Sequence, residues 1–167
     1  NYQYGVLNYL LEKIGLSRQA WLGDVNLVRW SIILVCAWSM ISTYTIIMLA
    51  ALQGINREYY EAGKIDGASN GQLFHITLPM LSPMIFFSFI MITIGILQIF
   101  DFIYLMVDRK SLAYQYSYSL VTYFYECAFT KSSMRGYGAA ISVVLALLIL
   151  FVTIIQMLVK KYWVKEG

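Results

Sequence analysis

Three stretches of the chain, residues 30–56, 67–100 and 136–159, contain no Asp, Glu, Lys or Arg. A helix needs on the order of 20 apolar residues to cross about 30 Å of hydrocarbon, so each stretch is long enough for one membrane span. Composition agrees, with 60% of residues hydrophobic and 13% charged against roughly 25% charged in soluble domains. The expected fold class is an all-α membrane protein with three transmembrane helices, at 30–52, 80–106 and 137–160. Residues 1–29 hold Glu12, Lys13, Arg18 and Asp24 with no uninterrupted apolar run of that length, and are expected to lie outside the bilayer as an external segment.

Between the first two spans lies a polar, breaker-rich insert, 53–79, whose centre reads EAGKIDGASNGQLFHITLP from Glu61. Its local signals predict two short helices. Asn56 is placed to cap the first, with Ile55 and Tyr60 at staple spacing, Glu58 near the positive end of the helix and Gly67 just past the last turn. Ser69 and Gln72 have capping-box spacing for the second. That second helix is expected to stop at Leu78, because a residue before proline avoids the helical region, and Ser82-Pro83 to start a new one. Ala62, Gly63, Gly67 and Ala68 are small enough to admit a partner's backbone, and Glu61, Lys64 and Asp66 offer it charges. The insert reads as a docking element.

Glu61, Ala62, Gly63, Gly67, Ile76, Leu78 and Pro79 follow the order of the pattern E-A-A, three residues, G, nine residues, I-x-L-P, with eight residues in place of nine between Gly67 and Ile76. This resembles the cytoplasmic coupling loop of permease subunits of bacterial ATP-binding-cassette importers, with glycine at 63 where the family usually has alanine. Ile65-Asp66-Gly67-Ala68 and the run from Thr77 to Pro83 look like the carbohydrate-uptake branch, similar to the first permease of maltose-type systems. Tyr4-Gly5, Asn8, Leu11, Trp21-Leu22, Phe100-Asp101, Tyr104, Tyr125, Ala128-Phe129 and Tyr137-Gly138-Ala139-Ala140 resemble it less specifically. Members often carry a Gly-Gly-Pro loop after the Phe-Asp span; here residues 107–114 read VDRKSLAY.

The resemblance implies the C-terminal portion of a type I importer permease, without its earlier spans, in a bacterial inner membrane. It implies 53–79 as a cytoplasmic coupling loop contacting an ATPase through Glu61, Ala62, Gly63, Lys64, Asp66, Gly67, Ala68, Ile76, Leu78 and Pro79. It also implies a second permease, an extracytoplasmic solute-binding protein and a sugar or oligosaccharide substrate. Residues 107–136 become an external loop with a short helix, and 161–167 a cytoplasmic tail. Charge does not orient the chain. Arg57, Lys64, Lys160, Lys161 and Lys165 fall on one side and Lys13, Arg18, Arg29, Arg109, Lys110, Lys131 and Arg135 on the other. Lys160-Lys161-Tyr162-Trp163 does combine cations and aromatic anchors at one interface.

The residues that could carry chemistry are few. There is no Gly-rich phosphate loop, so no cofactor is expected on this chain and ATP is expected on a partner. Cys36 and Cys127 lack metal-ligand spacing, and His75 stands without another histidine. No nucleophile, base and orienting acid can be assembled, so no enzyme is read, and no nucleic-acid partner is expected. Asp101, near the outer end of its span, and Glu126, beside the last one, are the acidic residues near the spans; Asp101 could line a path with Gln98 and Tyr104, or meet Arg109 or water. Ser39, Ser42, Thr43, Thr45, Ser88 and Thr93 could bind a polyol or join helices. The rings from Tyr114 to Phe129 suit an interfacial belt or sugar stacking. Transport of an amino acid, peptide or phosphate, a carrier not driven by ATP, and an assembly subunit remain the alternatives.

Overall fold

The computed structural model describes residues 5–163, and every regular element among them is helical. In order these are α1 (Val6–Lys13), α2 (Val28–Gln53), α3 (Arg57–Ile65), α4 (Asn70–Leu97), α5 (Asp101–Met106), α6 (Leu112–Tyr116), α7 (Leu120–Tyr125) and α8 (Arg135–Trp163). A π-helical turn, Glu126–Thr130, and a 3-10 turn, Ser132–Met134, join α7 to α8. Three segments, Val28–Gln53, Gly71–Leu97 and Arg135–Lys160, are long and apolar enough to cross a membrane. Large apolar side chains point outward along them, among them Leu34, Trp38, Ile46, Phe87, Leu147 and Phe151. Such a surface is stable where the solvent is lipid.

The chain forms two compact units. One gathers the chain up to Trp38 with Leu97–Leu145. Its core is Val28, Ile32 and Cys36 of α2 against Ile103, Val107, Ala113 and Tyr114. Short polar side chains start its helices: Asp24 Oδ1 accepts from the N–H groups of Asn26 and Leu27 ahead of α2. Ser111 Oγ accepts from Tyr114 N, and Ser119 Oγ from Thr122 N. These bonds satisfy donors that a helix start leaves free. Arg18 forms a two-bond pair with Glu12 and holds its carboxyl below the usual range. Cys127 is fully buried, and both cysteines are free thiols.

The other unit gathers Ser39–Ile96 with the chain from Ala146 on. Here one expectation fails. The second arm of the insert does not stop before Pro79: α4 runs unbroken for 28 residues from Asn70 to Leu97 with Pro79 and Pro83 inside it. Interior proline costs about 3 kcal/mol through a lost hydrogen bond and a ring clash. A full break in hydrocarbon would strand several backbone groups at several kcal/mol each, so continuing is the cheaper course. The far end differs too. The span expected over 80–106 ends as a helix at Leu97; residues 98–100 are non-helical and α5 begins at Asp101. The hydroxyls of Thr43 and Thr45 donate to the carbonyls of Ser39 and Ile41 in their own helix.

Candidate coupling site

The insert folds as a tight two-arm element. Asn56 Oδ1 accepts from Glu58 N at 3.1 Å and starts α3 as its cap. Glu58 sits in the first turn and Lys64 in the last, both favourable to the helix dipole. The exit is a Schellman motif: Gly67 has φ +79°, its N–H reaches Lys64 O, and Ala68 N–H reaches Gly63 O at 2.9 Å. Ser69 then begins the second arm, its N–H donating to Gln72 Oε1 at 2.8 Å in the capping-box sense.

Two contacts close the arms on each other. Gly63 is buried, and a Cβ there would lie 2.9 Å from Leu73 Cδ2 and 3.3 Å from Ile76 Cδ1. Its smallness therefore admits the second arm of the same element; the expectation that it faces a partner's backbone is corrected. Thr77 Oγ1 donates to Leu73 O, so the Tyr60 hydroxyl at 3.1 Å is the donor that ties α3 to α4.

The outward surface is what remains. Glu61, Ala62, Lys64, Asp66 and Gly67 are exposed, Ala68 and Ile76 half-buried, Leu78 exposed and Pro79 half-buried within α4. Ile65 is 86% exposed, and Tyr59 and Phe74 are also open. The sequence reading singled out the charges here and missed these apolar anchors. Exposed aromatic and aliphatic side chains among charges are the usual composition of a docking surface.

The second predicted set lies in the other unit. Gln98 is exposed at the break after α4, and Asp101 is exposed in the first turn of α5. Tyr104 joins a ring cluster with Phe100 and Tyr125, centroids 4.9–5.0 Å apart. Arg109 does not meet Asp101. Its Nη1 donates to the Tyr104 hydroxyl at 3.0 Å and its guanidinium lies over that ring, where the flat cation gains both a hydrogen bond and a cation–π contact. Buried Tyr114 donates to Glu126 Oε1 at 3.3 Å, and burial, then the adjacent carboxylate, push its hydroxyl above the ordinary tyrosine range.

A buried amide within a span escaped the sequence reading. Gln156 of α8 donates from Nε2 to Thr93 Oγ1 of α4 at 2.8 Å, and its Oε1 has no protein partner. An amide within a long apolar run was the available signal.

Spans of this kind, joined through a folded polar element, define a multi-pass membrane subunit. The family is direct: residues 5–163 match the binding-protein-dependent transport system inner membrane component, and the chain belongs to that family. It is 34% identical over 163 residues to the trehalose/maltose transport system permease protein MalF of Thermococcus litoralis, covering 97% of this chain and 54% of that protein. The arabinooligosaccharides transport system permease protein AraP of Bacillus subtilis is 33% identical, with 96% and 51% covered. A crystal structure of a bacterial ABC transporter importing the acidic polysaccharide alginate superposes with a TM-score of 0.82 at 26% identity, covering 98% of this chain and 57% of that one. The chain thus spans about half the length of these relatives.

Proposed function

We propose that this chain forms part of the translocation pathway of an ATP-driven importer of a sugar or oligosaccharide, and couples to a separate ATPase through residues 61–79. The observation that carries the coupling role is the two-arm element itself. Its inner face is closed by Gly63, Leu73 and Ile76, and its outer face leaves Glu61, Lys64, Asp66 and Ile65 to solvent. Because the second arm continues as α4, motion imposed on the docking face is delivered directly to a span. ATP binds the partner, and this chain needs no cofactor of its own.

The carbohydrate assignment is supported by relatives named for trehalose/maltose, lactose and arabinooligosaccharide transport. A second permease completes the pathway and an extracytoplasmic solute-binding protein delivers the substrate; the alginate importer is described in complex with a periplasmic protein. Gln98, Asp101 and Tyr104 line the path at the break between α4 and α5.

Disulfide cross-linking in native membranes tests the coupling role. With Cys36 and Cys127 replaced by serine, Lys64→Cys should form a specific adduct with a cysteine in the groove of the co-expressed ATPase, and ATP should change its yield. No adduct despite correct insertion would overturn the assignment. Glu61→Lys combined with Gly67→Leu should leave ATP hydrolysis running without uptake in vesicles; normal uptake by that variant would count equally against it.

A further inference from the structure

A cleft of about 410 Å³ opens in the first unit, walled by Val6 and Leu7 of α1, by Trp21, Leu22 and Leu27, by Trp30, Leu34 and Val35 of α2, and by Met106. Its volume lies within the roughly 300–1,000 Å³ of clefts that hold small molecules. Apart from the indole N–H groups of Trp21 and Trp30, the polar side chains along it are Asn8 and Ser31, and both are engaged. Asn8 accepts from Gln19 N and Trp21 Nε1 and donates to Gln19 O, while Ser31 lies 2.7 Å from Trp21 O. The cleft therefore offers a hydroxylated or charged ligand little beyond the indole N–H of Trp30 at its rim, and desolvating such a ligand there would be unfavourable.

We propose that the cleft holds an acyl chain of a membrane phospholipid. The argument is continuity with the bilayer-facing surface. Trp30, Leu34 and Val35 belong to the Val28–Gln53 span, and Trp30 and Leu34 are open on the outside of that helix. The cleft is thus a recess in the outward apolar face of a membrane span. Trp21 and Trp30 lie where the span begins, as indole rings do at headgroup depth. Across the cleft stands α1, whose open Val6, Leu7 and Leu10 need an apolar medium beside them. A chain lodged there fastens α1 to the outer leaflet. The proposal rests on the membrane placement of the spans and is independent of the transported solute.

The test loads membranes carrying the full chain and its transporter partners with phosphatidylglycerol bearing a diazirine near the end of one acyl chain, irradiates them and maps adducts by mass spectrometry. Adducts are expected on the recessed wall, at Leu22 and Leu27, as well as on outward Leu147 and Leu150 of α8. Val35→Trp, which fills the recess, should lower the yield at Leu22 about fivefold, since a packed interior leaves no room for a chain. Labelling at Leu147 and Leu150 should stay unchanged and so report correct insertion. Leu34→Ala, which widens the recess, should keep or raise the Leu22 adduct even if Val35→Trp fails to insert. Adducts confined to outward positions, equal labelling of Leu22 in wild type and a well-inserted Val35→Trp, or protein-to-protein cross-links from photo-leucine at position 22 would each overturn the proposal.

Discussion

At Gly67 a side chain would meet no atom within 4 Å, yet φ is +79°; at Gly63 the backbone is ordinary and the space is full. The two substitutions should therefore fail differently. Gly67→Ala should cost about 1–2 kcal/mol through the left-handed conformation alone, seen as a lower melting temperature of the purified subunit. Gly63→Ala meets only the ends of the Leu73 and Ile76 side chains, which can turn aside, so it should cost under about 1.5 kcal/mol. Gly63→Leu should separate the arms and abolish ATP-dependent uptake, measured in vesicles. Tyr114 gives a pH dependence. Its hydroxyl is held neutral in the fold by burial and the Glu126 carboxylate, so its contribution is intact below the ordinary value of about 10 and is lost as pH rises above it. Thermal unfolding should show wild type falling more steeply than Tyr114→Phe above that point. The caps at Asn56 and Gly67 were legible because such bonds depend on near neighbours; the inward turn of Gly63 was not, because it depends on residues ten and thirteen positions on, at Leu73 and Ile76.

Among elements, α4 departs furthest from what local rules predict. The pre-proline rule ends a helix at Leu78 in water, where freed backbone groups are solvated; next to hydrocarbon the balance reverses and α4 continues. The existence of each span was legible in the absence of charge, whereas the break after Leu97 was marked only by Gln98 and by Asp101 closing the uncharged stretch, and the span expected over 80–106 ran through both. At α8, Gly138 is buried with Ala128 N only 3.0 Å from where its Cβ would stand. That neighbour is backbone and cannot turn aside. Gly138→Val should cost about 1–3 kcal/mol by overpacking and lower the folded yield in detergent, judged by size-exclusion chromatography; Gly136→Ala, where the space is open, should not.

For the molecule as a whole, the three spans set the two faces of the membrane. With the native cysteines replaced by serine, Lys64→Cys should react with an impermeant maleimide only from the cytoplasm and Lys110→Cys only from outside, as read by labelling of right-side-out and inverted vesicles. Lys and Arg could not supply that orientation, since they divide between the faces without a clear bias; the proposed coupling role of the insert is what sets it. The tail expected over 161–167 lies largely outside the described residues, as does Tyr4 at the other end. The unbroken course of α4 carries one more implication. A continuous helix fixes rotational phase, so the directions in which Phe74 and Thr93 project are set by the number of residues between them. Inserting a single residue after Met84 would turn everything beyond it by about 100° relative to the docking arm. Evolution can trade side chains freely along this shaft, but it cannot change its length by one residue without re-aiming Thr93 away from Gln156.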